Sequence, residues 1–313
     1  MFNIEDITKN IDIIKKKHVS LNLDSVFLEQ NGNIEKRFYK DEFLHEVRSC
    51  AKILVAFAIG IAIDKGLAIS GGGKILSIDT KVYPTIKNVI NVTNVNNLDK
   101  IKKWTIKDLL THTTGYESQM MSEKYIEDID KFHLLDYALN YDIPYEVGKR
   151  YAYNNVEPFI LSVFFSEAFN ENLKDFIDEN IFKKLGIYEY RWDNYGKYCP
   201  GATGLYLKHS DFHKIGELLL NDGKYNGIQV VPSHWIKEMC SIKIKTPSLY
   251  KPERVLPKIG AGYFTFISRD GYIFRDGSKG QYIILNKEKN LLITIMSTEQ
   301  NMRYVTEILR GLI

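Results

Sequence analysis

Three observations on the 313-residue chain predict an α+β fold. Strand-like runs stand near both ends, at 25–39 and 261–296, and helix-periodic segments fill the interval between them. Strands and helices segregated in this way pair as an antiparallel sheet with helices packed on it. The third observation is a continuous apolar run, Ile53–Ile63, closed by Asp64 and Gly66, which reads as a helix buried on all sides.

Composition bounds the rest. Hydrophobic residues make up 44% and charged residues 26%, as in ordinary globular proteins. The length suits one domain of two interlocked parts, an α/β part over roughly 1–75 and 205–313 and a helical part over roughly 76–204. The net charge is only +3, and basic runs such as Lys15-Lys16-Lys17 read as solvated helix faces, so no nucleic-acid partner is expected. Cys50, Cys199 and Cys240 are odd in number and widely spaced, with neither a metal-ligand nor a disulfide pattern, so no metal or other cofactor is expected. The segment Met1–Thr8 lacks a basic head followed by an apolar run, so no secretory signal is read and a cytoplasmic location is expected. Ile53–Ile63 is too short to span a bilayer, and no membrane partner is expected.

In chain order, Ile4, Ile7, Ile11 and Ile14 form one face of an amphipathic helix. The runs 25–29 and 35–39 flank Asn31-Gly32 and predict a hairpin. The apolar helix follows, then a flexible Gly71-Gly-Gly73 loop without phosphate-loop spacing. Residues 79–104 read as surface turns. Thr105 is a plausible N-cap for a short helix through Leu110, with Gly115 as a stop. Further helices are predicted over 122–141, 156–170, 173–185 and from Ser210 to before Asp222-Gly223, and a tight turn at Gly201-Ala-Thr203-Gly204-Leu205. The runs 261–267, 272–274, 282–285 and 291–296 predict a four-stranded meander, which the hairpin joins, and 301–312 a terminal helix.

Chemistry is suggested first by Ser49-Cys-Ala-Lys52, at the head of the apolar helix. Residues three apart share a helix face, so the hydroxyl and the amine can meet. Burial that lowers the lysine pKa would let the amine take the serine proton. Such a spacing also arises by chance about once in a chain of this length, and Ser248-Leu-Tyr-Lys251 is a second occurrence in a proline-flanked stretch with no helix. Cys50, one step round from Ser49, reads as a small core residue, with a cysteine nucleophile as the weaker alternative. His112 reads either as a general base or as a structural residue holding backbone groups. Tyr153 and Asn155, two apart at a helix start, either point into one cleft as proton-transfer and amide groups or serve as a packing tyrosine and a capping asparagine. His209 and His213 read as surface or capping residues.

Taken in order, Ser49-Cys-Ala-Lys52, Leu109-Leu-Thr-His-Thr-Thr-Gly115, Tyr153-Asn-Asn155, Gly201-Ala-Thr-Gly204-Leu and Gly277-Ser-Lys-Gly280-Gln resemble the β-lactamase-related serine hydrolases, over nearly the whole chain from about residue 20. That superfamily includes class C β-lactamases, DD-peptidases, D-aminopeptidases, family VIII-type esterases and a 6-aminohexanoate-dimer hydrolase. The resemblance implies a β-lactamase/transpeptidase-like fold, an antiparallel five-stranded sheet flanked by helices, with the active site between it and a mostly helical region. It implies Ser49 as acylated nucleophile, Lys52 as its proton partner and Tyr153 as general base and acid. Asn155 would hold Lys52 and the substrate oxygen, and the backbone N–H groups of Ser49 and Ser278 would form an oxyanion hole worth about 3 kcal/mol per donor.

One element departs from the family pattern. Where the family carries Lys-Thr-Gly or His-x-Gly, this chain has Arg275-Asp276-Gly277. Arg275 could replace the cation that binds a substrate carboxylate, but Asp276 beside it would repel an anion. The expectation is therefore an esterase or amidase acting on a small ester, amide or lactam-like molecule. β-Lactamase or D-aminopeptidase activity is the first alternative, and a penicillin-recognising-type binding or sensor protein the second.

Overall fold

The computed structural model describes residues 4–17, 21–246 and 256–299, together with Val305. Apart from Val305, the terminal helix expected at 301–312 lies outside the described residues, as does the second serine–lysine pair at 248–251. Among the described residues the main sheet has eight antiparallel strands rather than five. They are β1 (Leu23–Gln30), β2 (Asn33–Phe38), β3 (Ile244–Lys245), β4 (Lys258–Ala261), β5 (Phe266–Ser268), β6 (Ile273–Asp276), β7 (Tyr282–Asn286) and β8 (Leu291–Ser297). Their spatial order is β2-β1-β8-β7-β6-β5-β4-β3, so the two ends of the chain meet where β1 pairs with β8.

The β1–β2 turn is the predicted one. Asn31 and Gly32 both take positive φ (53° and 80°), which a tight hairpin turn needs and which these residue types tolerate. The run 261–267, read as one strand, is instead the inner end of a hairpin formed by β4 and β5. Phe264 at its tip has φ 56°, so the chain reverses where the residue pattern looks continuous.

Period-two alternation sorts the sheet into two faces. Val26, Leu28, Ile284, Ile293 and Ile295 pack on one side with Ile11 of helix α1 (Ile4–Lys17). Ile283, Leu285, Leu292 and Met296 pack on the other side, against helix α4 (His209–Leu220) and the main helical core. Through that core runs α2 (Lys52–Asp64), buried from Lys52 to Ala62 as its unbroken apolar sequence requires. Each fully buried Ile, Leu or Phe there contributes about 1.5–3 kcal/mol, so this helix is the anchor for whatever its first turn carries.

The helical region departs from expectation in detail. Residues 79–104 are not merely surface turns, because the short helices Tyr83–Ile86 and Val95–Ile101 bury Ile86 and Ile101, and Trp104 beyond them is buried too. The helix expected over 122–141 is two pieces, Glu123–Ile126 and Leu134–Asn140. Thr105 caps Ile106–Leu110 as predicted, in a reciprocal box with Asp108. Helix α3 (Val156–Phe169) matches its predicted range and ends on Asn170 in the left-handed conformation. Among the described residues no helix is long and apolar enough to cross a membrane.

Candidate active site

Ser49 sits in a single tight turn, Arg48–Ala51, directly ahead of α2. Arg48 before it has φ 50°, a strained conformation for a residue with a side chain, and is held there by its neighbours. Its guanidinium Nε meets Glu46 Oε2 at 2.7 Å, and its Nη1 meets Glu123 at 2.9 Å. Glu46 Oε1 in turn accepts from Thr203 Oγ1 at 2.7 Å and from the Gly204 N–H at 2.9 Å. The Gly201–Leu205 turn thus braces the segment that presents Ser49.

Three further elements converge on the serine. Lys52 Nζ lies 3.2 Å from Ser49 Oγ, 3.0 Å from Tyr153 OH and 2.7 Å from Asn155 Oδ1. The Tyr153 hydroxyl donates to Ser49 Oγ at 2.6 Å. From β6, Arg275 donates through Nε to the Ser49 carbonyl at 3.0 Å and through Nη2 to Tyr153 OH at 2.9 Å. Asn155 is fixed from behind, its Nδ2 donating to the Met121 carbonyl at 2.9 Å. It does not cap α3 through its side chain; Asn154 does, accepting from Val156 N–H at 2.8 Å. The cleft alternative for Tyr153 and Asn155 is therefore the one the geometry adopts.

The electrostatics follow from burial. Lys52 is completely buried, and desolvation, helped by the Arg275 charge, holds its amine well below the usual lysine range. Burial raises the Tyr153 phenol, only partly opposed by Arg275. Cys50 packs in the core with Sγ 3.7 Å from the Arg275 carbonyl, and burial pushes its thiol up, away from nucleophilic use.

At the end of β6, Gly277 is hemmed in. A Cβ there would lie 2.4 Å from Gln281 Oε1 and 3.0 Å from Arg48 Cβ, so the strand end can approach the Ser49 turn only as glycine. Ser278 follows, exposed, and among the described residues its N–H has no backbone partner. Asp276, expected to repel anions, has Lys258 Nζ at 3.7 Å.

The chain matches the family model Beta-lactamase over residues 33–234, well over half its length. It belongs to the beta-lactamase family. With that family comes membership of the β-lactamase-related serine hydrolase superfamily, although Arg275–Ser278 lie beyond the matched span. No curated protein matches the chain significantly. Several solved structures share its fold. A Bacteroides dorei protein provisionally described as a beta-lactamase has a TM-score of 0.78 at 14% identity, covering 100% of this chain and 98% of that one. An octameric penicillin-binding protein homologue from Pyrococcus abyssi has 0.76 at 16% identity, covering 99% and 77%. EstCE1, a hydrolase with promiscuous acyltransferase activity, has 0.74 at 13% identity, covering 98% of each chain.

His112 has no bond to Ser49; it is buried, bonded to Glu157 at 3.0 Å, with its ring 5.1 Å from that of Tyr153, in keeping with the structural reading. Two other histidines fall elsewhere than expected. His209 and His213 are neither surface nor capping residues. Both are buried against the sheet, His209 bonded to Ser25 and Thr294, His213 to Thr294 and Glu29. Glu46 and Glu157 carry no motif in the sequence. A glutamate beside Pro158 inside the apolar run 156–165 is the one signal that marks Glu157.

Proposed function

We propose that this family member is a metal-free serine hydrolase that forms an acyl-enzyme at Ser49, acting as an esterase or amidase on small substrates. The observation that carries the proposal is the three-way contact of Ser49 Oγ, Lys52 Nζ and Tyr153 OH around a lysine whose amine burial favours in the neutral form.

As an ammonium, Lys52 spends all three donors on Ser49, Tyr153 and Asn155. As an amine it keeps two and turns a lone pair toward the two hydroxyls. Because burial moves Tyr153 up and Lys52 down, the base in the free enzyme is Lys52, and the Tyr153 hydroxyl relays the proton rather than ionising first. Ser49 Oγ attacks the substrate carbonyl carbon while its proton passes to Lys52, directly or through Tyr153. The N–H groups of Ser49 and Ser278 receive the oxyanion. On collapse the same relay returns the proton to the departing alkoxide or amine, leaving the ester on Ser49. Water then attacks that ester with the relay again as base.

A second reading, a lactam or D-amino-acid peptide carrying a carboxylate, has one observation behind it. Arg275 is buried, and its Nη1 has no partner among the described residues, so a substrate anion could complete it. Turnover of short p-nitrophenyl esters and of a chromogenic cephalosporin by the parent and by Ser49→Ala tests both readings. Ester turnover lost in Ser49→Ala supports the first, and cephalosporin turnover the second. Full turnover in Ser49→Ala contradicts both.

A further inference from the structure

Directly behind the Tyr153–Asn155 loop lies a carboxylate that the proposed reaction does not use. Glu157, on the first turn of α3, is completely buried. Its Oε1 accepts from Thr114 Oγ1 at 2.6 Å and from Asn154 Nδ2 at 2.9 Å, and its Oε2 faces His112 Nδ1 at 3.0 Å. Burying a carboxylate costs several kcal/mol unless hydrogen bonds and charge offset it, so packing alone does not explain the residue.

His112 does not supply the opposite charge. Burial pushes its imidazole down to about 4, so near neutral pH it is an uncharged ring donating Nδ1–H to Glu157. Its Nε2 is then a buried acceptor with no partner among the described residues. The carboxylate is held by its hydrogen bonds to Thr114, Asn154 and His112. Asn154, gripped by Glu157 on one side and by the Ala152 carbonyl at 3.0 Å on the other, is the residue between Tyr153 and Asn155.

We propose that Glu157 is a positioning residue of the Ser49 site: through Asn154 it pins the loop that carries Tyr153 and Asn155. This rests on the reading of Tyr153 as the group that relays the Ser49 proton.

Two substitutions test the pin. Asn154→Ala removes the side chain that Glu157 grips, whereas Glu157→Gln keeps an oxygen for Thr114 and Asn154. The readout is the rate at which a fluorophosphonate labels Ser49, followed by intact mass as a function of pH. In Asn154→Ala the plateau rate is expected to fall about tenfold or more with the acidic limb in place, because misplacement of a relay group slows the reaction without changing its charge. In Glu157→Gln the plateau is expected to stay nearer that of the parent, since the oxygen that grips Asn154 remains. A parental plateau in Asn154→Ala overturns the pin. Asn154→Ala leaves the buried carboxylate intact, so it carries the test even where Glu157→Gln fails to fold. Absence of labelling in the parent contradicts the proposed function itself; labelling of the parent with no change in Asn154→Ala contradicts this inference alone.

Discussion

Replacing Arg275 with methionine probes the charge balance of Lys52. Lys52 Nζ and Arg275 Nη2 share the Tyr153 hydroxyl at 3.0 Å and 2.9 Å, which places the two cations within about 6 Å of each other. Like charges at that separation repel by about 0.7 kcal/mol in a water-like medium and by about 3 kcal/mol at the effective dielectric of a protein site. That range corresponds to about 0.5–2 pH units. The sign follows from the charge: Arg275 disfavours the ammonium, so without it Lys52 holds its proton to higher pH. The acidic limb of kcat/KM for a p-nitrophenyl ester is therefore expected to move to higher pH by that amount in Arg275→Met. Arg275→Lys keeps the charge and should leave the limb in place. It gives up the Nε bond to the Ser49 carbonyl, a charge-assisted contact worth about 1.5–3 kcal/mol, so its plateau should fall. A Met variant whose limb coincides with that of the parent, or lies below it, would refute the reasoning.

Other consequences concern stability. Lys52→Met is expected to raise the Tm while abolishing acylation, because it removes a completely buried amine whose protonated form is disfavoured in the fold; a lower Tm by calorimetry would contradict this. Burial depresses the imidazoles of His112, down to about 4, and of His209. A group depressed in the fold contributes stability above its unfolded value and loses it on acidification. The Tm should therefore fall from about pH 6.5 downward, more steeply in the parent than in His209→Gln. Gly60→Ala is expected to lower the Tm by about 4–8 °C. Its Cβ would lie 2.1 Å from Trp235 Cδ1, and relieving that clash disturbs the indole bond to the Ala56 carbonyl, at 2.8 Å in the parent. A Tm at or above that of the parent would show that the indole can move freely.

Much of the site could be read before the fold was known, for a local reason. Ser49 and Lys52 are joined by helix spacing, and the unbroken apolar run behind them announces the burial that tunes the lysine. Tyr153 and Asn155 were visible as a pair, but choosing between cleft and cap needed the neighbouring Asn154, whose side chain takes the capping bond. Glu157 was illegible because its importance lies in partners from another segment, Thr114 and His112, some forty residues earlier in the chain. His209 and His213 were misplaced for a related reason. Their helix is amphipathic, and a polar side chain on its buried face looks like a surface residue until Thr294 and Glu29 are brought across from the sheet. In the sheet, alternation located the strands but not the reversal at Phe264, where a left-handed residue without glycine leaves no sequence mark. The extra strands β3 and β4 are short, and pairing rather than pattern defines them.

The claim on which the account depends is that Ser49 is the nucleophile. Intact mass and peptide mapping after incubation with a fluorophosphonate, for the parent and for Ser49→Ala, test it most directly. One adduct on Ser49 in the parent and none in the variant is the expected result. An adduct elsewhere, or equal labelling of both proteins, would contradict it.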